Sequence, residues 1–319
     1  MKKLGLILDL KLNSQFNWAQ GPQVVKYENF TRVYFSTRIS EGKYFYSDVA
    51  YVDFDKTFQR VINFSNQPVL VRSKPGNFDH DGVFPFHVKR LISKDNRIVG
   101  LICGWKRKVS VDIDMSVGIS ESFDGGKTFT RLGDGPIMGA NTFDPFLVGD
   151  PFIFESPQCF YLAYIKGENW VVGLNGVLER KYRIAFAKSV DLIEWEALDG
   201  IRIPARLENE AQAMPSLIQI DDVFHLIYCY RDVFDFRYNS RNSYRIGHSY
   251  SKDLVDWKIS EFMVPLGEHG DWDADMQCYP HIFTESDRAY ILYNGNDFGK
   301  FGIGLLELDS KELVKYAKF

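Results

Sequence analysis

A proline recurs along this chain at a nearly constant interval, each time after a short polar stretch and before an apolar run. The five are Pro22 (QGPQVV), Pro85 (GVFPFHV), Pro151 (GDPFIF), Pro215 (AMPSLI) and Pro280 (CYPHIF), spaced by 63, 66, 64 and 65 residues. Five units of that size account for the 319 residues. Length alone, at about 150 residues per domain, predicts two domains. The repeat replaces that expectation with one domain spanning 1–319.

Other features keep the same period. A second apolar strand follows each proline by about ten residues: VYFSTR, IVGLICGW, CFYLAYIK, FHLIYCYR and AYILYNG. A third shows in Tyr182 to Ala185 (YRIA) and Tyr244 to Gly247 (YRIG). The turn after it repeats as Ser122 to Phe129 (SFDGGKTF), Ser189 to Trp195 (SVDLIEW) and Ser251 to Trp257 (SKDLVDW), with Asp53 to Phe58 (DFDKTF) as a degraded copy. In such a turn the Asp side chain bonds nearby amides and the aromatic plugs the gap between units. Aromatic residues make up 15% of the chain, a bias that suits half-buried pleated surfaces. Four short strands per unit, five times over, predict an all-β fold: a five-bladed β-propeller with four antiparallel strands per blade. No amphipathic helical segment recurs between strands. Residues 1–13 are expected to supply a strand that closes the ring, and Lys311 to Ala317 a final strand or a short helix.

The balance of charge narrows the partners. Net charge is −4, with no basic stripe, which argues against nucleic acid. No apolar run reaches the roughly 20 residues of a membrane helix. The apolar stretch Leu4 to Leu10 contains Asp9 and lacks a small-residue cleavage site, so it reads as a strand and not as a signal peptide. Cys103, Cys159, Cys229 and Cys278 are far apart and form no C-x-x-C pair. They are expected to be free thiols in a reducing cytoplasm.

Propeller geometry then nominates a site. In each blade, the connection entering the innermost strand and the connection between the second and third strands lie on one face. Residues there converge on one pocket. Before the prolines stand Asp81, Asp150, Glu210 and Asp275, with Gln20 in the first unit and Gln212 and Gln277 three residues before theirs. An Asp in such a place often caps a turn, but four acids in one pocket are costly unless used. After the second strands stand Arg38, Lys166 and Arg231, with Trp105 to Arg107 in the second unit and Asn294 to Asn296 in the fifth. The long connections of the third and fourth units carry Glu168, Asn169 and Trp170, then Asp235, Arg237, Tyr238 and Arg241. These are either solvated loop charges or cations suited to a carboxylate or phosphate. Trp18, Trp105, Trp170 and Tyr279 fall near the pocket and offer stacking faces.

Paired acids suit glycosidic bond cleavage, one carboxyl protonating the leaving oxygen and a second activating water or attacking the sugar. No G-x-S-x-G elbow is present and the six His are scattered. His87 and His281 follow their prolines closely and are expected to line the channel without catalytic duty. Gly295 to Gly299 and Gly302 to Gly304 join two strands, which argues against a phosphate-binding P-loop. The chemistry requires no cofactor and the sequence assigns no metal ligand. A channel cation and the oligomeric state stay open.

The repeated pattern resembles the five-bladed propeller enzymes of glycoside hydrolase families 43, 32 and 130, over nearly the whole chain. The sharpest motif is Val148 to Phe154 (VGDPFIF). The resemblance implies that Asp150 orients and tunes a catalytic pair, as in families 43 and 32, or carries the proton donor, as in family 130 phosphorylases. A closer resemblance is to propeller proteins of uncertain activity associated with bacterial surface-polysaccharide genes. It lies in Tyr244 to Gly247, Ser251 to Trp257, Asp275 to Pro280, Tyr293 to Asn296 and Phe298-Gly299. One departure matters: the first-blade slot that holds an essential Asp in families 43 and 32 reads Asn17 to Pro22 (NWAQGP) here.

Three functions follow. The first is a cytoplasmic glycoside hydrolase-like enzyme acting on a bacterial glycan or activated sugar, with Asp150 and Glu210 as acid and partner and Asp81 and Asp275 completing an acidic ring. Gln20, Arg38, Trp105, Lys166, Trp170, Gln212, Arg231, Gln277, Tyr279 and Asn294 would bind the sugar. The second is a phosphorylase or glycosyl-transferring enzyme in which Arg38, Lys166 or Arg231 holds phosphate. The third is a glycan-binding propeller without catalysis.

Overall fold

The computed structural model describes residues 1–13, 15–92, 94, 97–174 and 176–318, and the described chain is nearly all β. After β1 (Lys2–Asp9) the strands come in quartets. The first is β2 (Gln20–Lys26), β3 (Thr31–Glu41), β4 (Tyr44–Phe54) and β5 (Val61–Phe64). The second is β6 (Gly82–Arg90), β7 (Ile98–Arg107), β8 (Ile113–Ser122) and β9 (Thr130–Arg131). The third is β10 (Val148–Glu155), β11 (Phe160–Val172), β12 (Leu178–Ser189) and β13 (Glu196–Ala197). The fourth is β14 (Glu210–Ile220), β15 (Val223–Asp232), β16 (Arg245–Ser251) and β17 (Lys258–Ile259). Then come β18 (Cys278–Glu285), β19 (Arg288–Asn294), the short helix α1 (Asn296–Gly299), β20 (Gly302–Asp309) and helix α2 (Ser310–Lys315). The segment Lys311 to Ala317 is therefore mostly helical and adds no strand. No described helix is long and apolar enough to cross a membrane.

Pairing within each quartet is antiparallel. The first two quartets are joined into one sheet by a single parallel bridge, Ser47 to Gly82. The last sheet has the order β1-β20-β19-β18, so the N-terminal strand completes the C-terminal quartet. The first strands of the quartets, β2, β6, β10, β14 and β18, touch one another in cyclic order. Below the site, their side chains meet at the centre: His87 Nδ1 lies 2.7 Å from Gln23 Oε1, Phe152 packs against His87 with ring centroids 4.5 Å apart, and His281 Nδ1 lies 3.5 Å from Ser216 Oγ. Both histidines are buried, and burial lowers the pKa of each.

The repeated turns follow their sequence. Asp124, Asp191 and Asp253 each accept two backbone amides on Oδ1 and a hydroxyl proton from Ser122, Ser189 or Ser251. The aromatic that ends the turn packs between quartets. Trp257 stacks on Phe186 at 5.5 Å and 9°, and Phe129 meets Tyr34 and Phe86 edge-on.

The prolines explain the inner strands. Proline has no N–H to give the ladder. In all five inner strands the register breaks there, between Gln20 and Gln23, Val83 and Phe86, Gly149 and Phe152, Ala213 and Ser216, and Cys278 and His281. Gly21, Asp150, Met214 and Tyr279, each just before its proline, have φ of 60°, 47°, 51° and 56°, and the Phe84–Pro85 bond is cis. Such bulges re-aim a side chain. Here they turn Phe84, Asp150 and Tyr279 toward one cavity.

Candidate functional site

The cavity has a volume of about 270 Å³ and opens at the centre of the face bearing the β3–β4, β11–β12 and β15–β16 connections. Nearly half of the residues lining it are aromatic. Phe84 and Tyr279 meet edge-on at 5.0 Å, and Phe298 and Phe236 come from α1 and the β15–β16 connection. The Tyr182 and Tyr244 hydroxyls lie 2.7 Å apart in the wall. Among the lining residues Asp150 is the one carboxylate, and Arg38, Arg180 and Arg237 are the cations.

Asp150 is buried at the bulge of β10. Its Oδ2 accepts the Met214 amide at 3.0 Å. Burial raises its pKa from 3.8 to about 6, against the lowering effects of that amide and of the Arg180 charge. Half of such a group is protonated at about pH 6 and about a tenth at pH 7, and the protonated form is the one a proton donor needs. A non-glycine residue at positive φ costs about 1 kcal/mol or more, so the side chain's direction is bought with backbone strain.

The three arginines differ in how their charge is met. Arg180 reaches Asp112 at 3.1 Å and Arg237 reaches Glu179 at 2.8 Å, both near the rim. Arg38 donates from Nε to Gln20 Oε1 at 2.9 Å and lies 5.1 Å over the Trp18 ring. No ion pair joins Arg38 to a carboxylate among the described residues. Burial lowers its pKa, and the nearest opposing influence is the Tyr279 hydroxyl.

The structure brings together Asp150, Gln20, Arg38, Trp105, Arg237 and Tyr279 of the residues nominated from sequence. It places the others behind or beside the wall. Glu210 accepts the amides of Arg206 and Leu207 on Oε2 and the Gln212 side chain on Oε1, so it holds the loop entering β14. Its pKa is raised by burial, opposed by those three bonds. Asp81 accepts the Arg107 amide at 2.7 Å and pairs with its guanidinium. Asp275 is exposed, and its amide donates to Asn296 Oδ1. Gln212 and Gln277 donate to the carbonyls of Ile203 and Pro265. Lys166 pairs with Asp144, and Trp170 sits half-buried opposite Arg180 in the β11–β12 ladder. Arg231 is fully buried, bonds the carbonyls of Asp232, Val233 and Arg180, and stacks on Phe236 at 3.7 Å. Asn294 joins the last quartet to the first through Gly21 and Ala19. Trp18 packs outside the cavity against Phe45.

The physical reason lies in register. Asp150 is one residue before its proline, Asp81 four, and Glu210 and Asp275 five. A shift of one residue turns a strand side chain to the other face, and beyond the strand it enters a loop. The four acids are therefore not equivalent, and only the residue next to the bulge faces the cavity. Arg180, Phe45 and Phe236 line the cavity without having been nominated. Arg180 and Phe45 stand on β12 and β4, across the hairpins from the second-strand ends, and Phe236 lies between Asp235 and Arg237 in the β15–β16 connection. Reading both arms of each hairpin would have found Arg180.

No known family profile matches the chain. An uncharacterized protein of Mycobacterium tuberculosis, in strains H37Rv and CDC 1551 / Oshkosh, is 25% identical over 318 residues, 97% of this chain and 99% of its own. Solved structures share the fold. A glycoside hydrolase superposes with a TM-score of 0.74 at 14% identity, over 96% of this chain and 90% of its own. A thermostable family-43 glycoside hydrolase gives 0.63 at 14% identity, over 91% and 88%. The β-1,2-mannobiose phosphorylase of Listeria innocua, in complex with β-1,2-mannobiose, gives 0.68 at 10% identity, over 94% and 92%. The chain has the fold of propeller glycosidases and glycoside phosphorylases.

Proposed function

We propose that this protein is a glycoside phosphorylase-like enzyme, with Asp150 as the proton donor and an oxyanion, inorganic phosphate, held by arginine as the nucleophile. The observation that carries the reading is the composition of the cavity: one carboxylate faces three arginines. Two-carboxylate hydrolysis asks for a second acid facing the sugar, and Glu210, Asp81 and Asp275 are engaged in or beside loops. Arg38, half-buried and with no ion pair to a carboxylate among the described residues, suits a phosphate oxygen.

In the proposed step, protonated Asp150 gives its proton to the glycosidic oxygen as the bond to the anomeric carbon breaks. A phosphate oxygen forms the new bond at that carbon. The products are a sugar phosphate and the released alcohol, and the proton of hydrogen phosphate returns through solvent to Asp150. The aromatic walls give the sugar ring stacking faces. In this reading the five quartets are five blades around one channel, residues 1–319 form one domain, and the four free thiols suit the cytoplasm.

The test is turnover of a glycoside panel with and without inorganic phosphate. Phosphate-dependent release of sugar phosphate, lost in Asp150→Asn, is the expected result. Sugar release at the same rate without phosphate would return the assignment to a hydrolase, and sugar binding without turnover to a lectin-like role.

A further inference from the structure

A second, smaller cavity of about 130 Å³ lies beside the first, between Gly173, Leu174 and Glu179 on one side and the β15–β16 connection on the other. Gly173, Leu174 and Tyr238 line it, with Glu179 and Asp235 as its acids. Phe236 and Arg237 line both cavities and are the partition between them. Tyr238 is 83% exposed and Leu174 is 83% exposed, so an aromatic face and an apolar side chain stand uncovered at the rim.

This corner is held in place. Asp235 has φ of 57°, and its carbonyl accepts the amides of Tyr238 and Asn239. Asn242 donates from Nδ2 to the Phe234 carbonyl, and Arg245 donates to the Ser240 carbonyl. Arg237 stacks on Phe236 at 4.2 Å and pairs with Glu179 across to β12.

The two cavities differ in charge. The first offers three arginines and one carboxyl of raised pKa, whereas the second offers two acids and shares one arginine, already paired. Carboxylates accept hydroxyl protons, and an exposed phenol ring stacks on the C–H face of a sugar. We infer that the second cavity is a subsite for a neutral sugar unit joined to the unit in the first cavity, so that the substrate is a glycan of two or more residues and its distal unit leans on Tyr238. The inference rests on reading the first cavity as a sugar site.

The experiment is binding of the full chain to an array of matched bacterial mono-, di- and trisaccharides, with wild type, Tyr238→Ala and Phe84→Ala compared. In the expected result, the disaccharide binds more tightly than its own terminal monosaccharide. Tyr238→Ala removes about threefold to tenfold of that preference, the range of one aromatic contact, and leaves the monosaccharide unchanged. Phe123→Ala, exposed on an outer turn, serves as the control and keeps the preference. Equal binding of both lengths, or equal weakening of both by Tyr238→Ala, overturns the subsite while leaving the first-cavity reading intact. Loss of monosaccharide binding in Phe84→Ala, whose ring lines the first cavity, supports that first reading separately. Absence of binding to every sugar on the array overturns both.

Discussion

Asp150 joins the stability and the proposed activity of this protein in one group. Its folded-state pKa of about 6 lies above the ordinary 3.8. The proton is therefore bound more tightly in the folded chain. That contribution is fully present below about pH 4 and is lost as pH rises through 6. At pH 8 the buried carboxylate costs up to about 3 kcal/mol. Asp150→Asn is expected to raise the melting temperature at pH 8 and to do so less at pH 4.5, as read by thermal unfolding at both. The same substitution is expected to cut turnover by about 10² to 10⁴, the usual worth of a positioned acid. The kcat/KM of the wild type should fall above pH 6, where the donor is spent as carboxylate. At Arg38 the expected change is in KM for phosphate, up about tenfold to a hundredfold in Arg38→Ala with the sugar KM less affected. Arg38→Lys should recover only part, because an ammonium lacks the guanidinium fork. Equal phosphate KM values in all three proteins would remove Arg38 from the anion site.

The elements show why some of these residues were readable and others not. The outer turns are local: Asp253 bonds amides two and three residues on, and the whole motif lies within seven residues. Their role was legible at once. Asp253→Ala is expected to cost about 1 kcal/mol. Trp257→Ala, which empties a buried stack on Phe186, should cost about 3 kcal/mol. Urea unfolding of the two variants separates turn from packing, and a reversed order would contradict the role given to the tryptophan. The inner strands are different. All five break register at the proline, but the acids stand one, four or five residues before it. Pattern gave the strand and its approach, and the bulge decided which of the four acids faces the cavity.

Across the whole molecule, the last sheet is built from both ends of the chain. β1 supplies the outer strand of the last sheet by pairing with β20, Lys3 reaches Asp273 at 2.7 Å, and the N-terminal amine reaches Glu312 at 3.0 Å. Removing residues 1–13 should expose β20 as an unpaired edge and strip Leu8 and Leu10 from the core they form with Leu292, Ile303 and Leu305. The expected outcome is a melting temperature lower by about 10 °C or more, a broader transition and concentration-dependent aggregation, read by circular dichroism and light scattering. A truncated chain that melts like the full one would show that the fold holds without its N-terminal strand.

The sequence by itself determined the period, the strands, the outer turns and the face on which the cavity opens, because each depends on contacts within one unit of about 64 residues. It also carried Asp150, through the Asp-Pro step that sets the bulge. Only the tertiary structure decided which charged groups share a cavity. Glu210, Asp81 and Arg231 lie close in sequence to residues that line it, yet each meets its partners inside a loop or behind the wall. Arg180 and Arg237 arrive from the arms of different hairpins. Their convergence depends on strand register and hairpin length across separate sheets, quantities that no single repeat encodes.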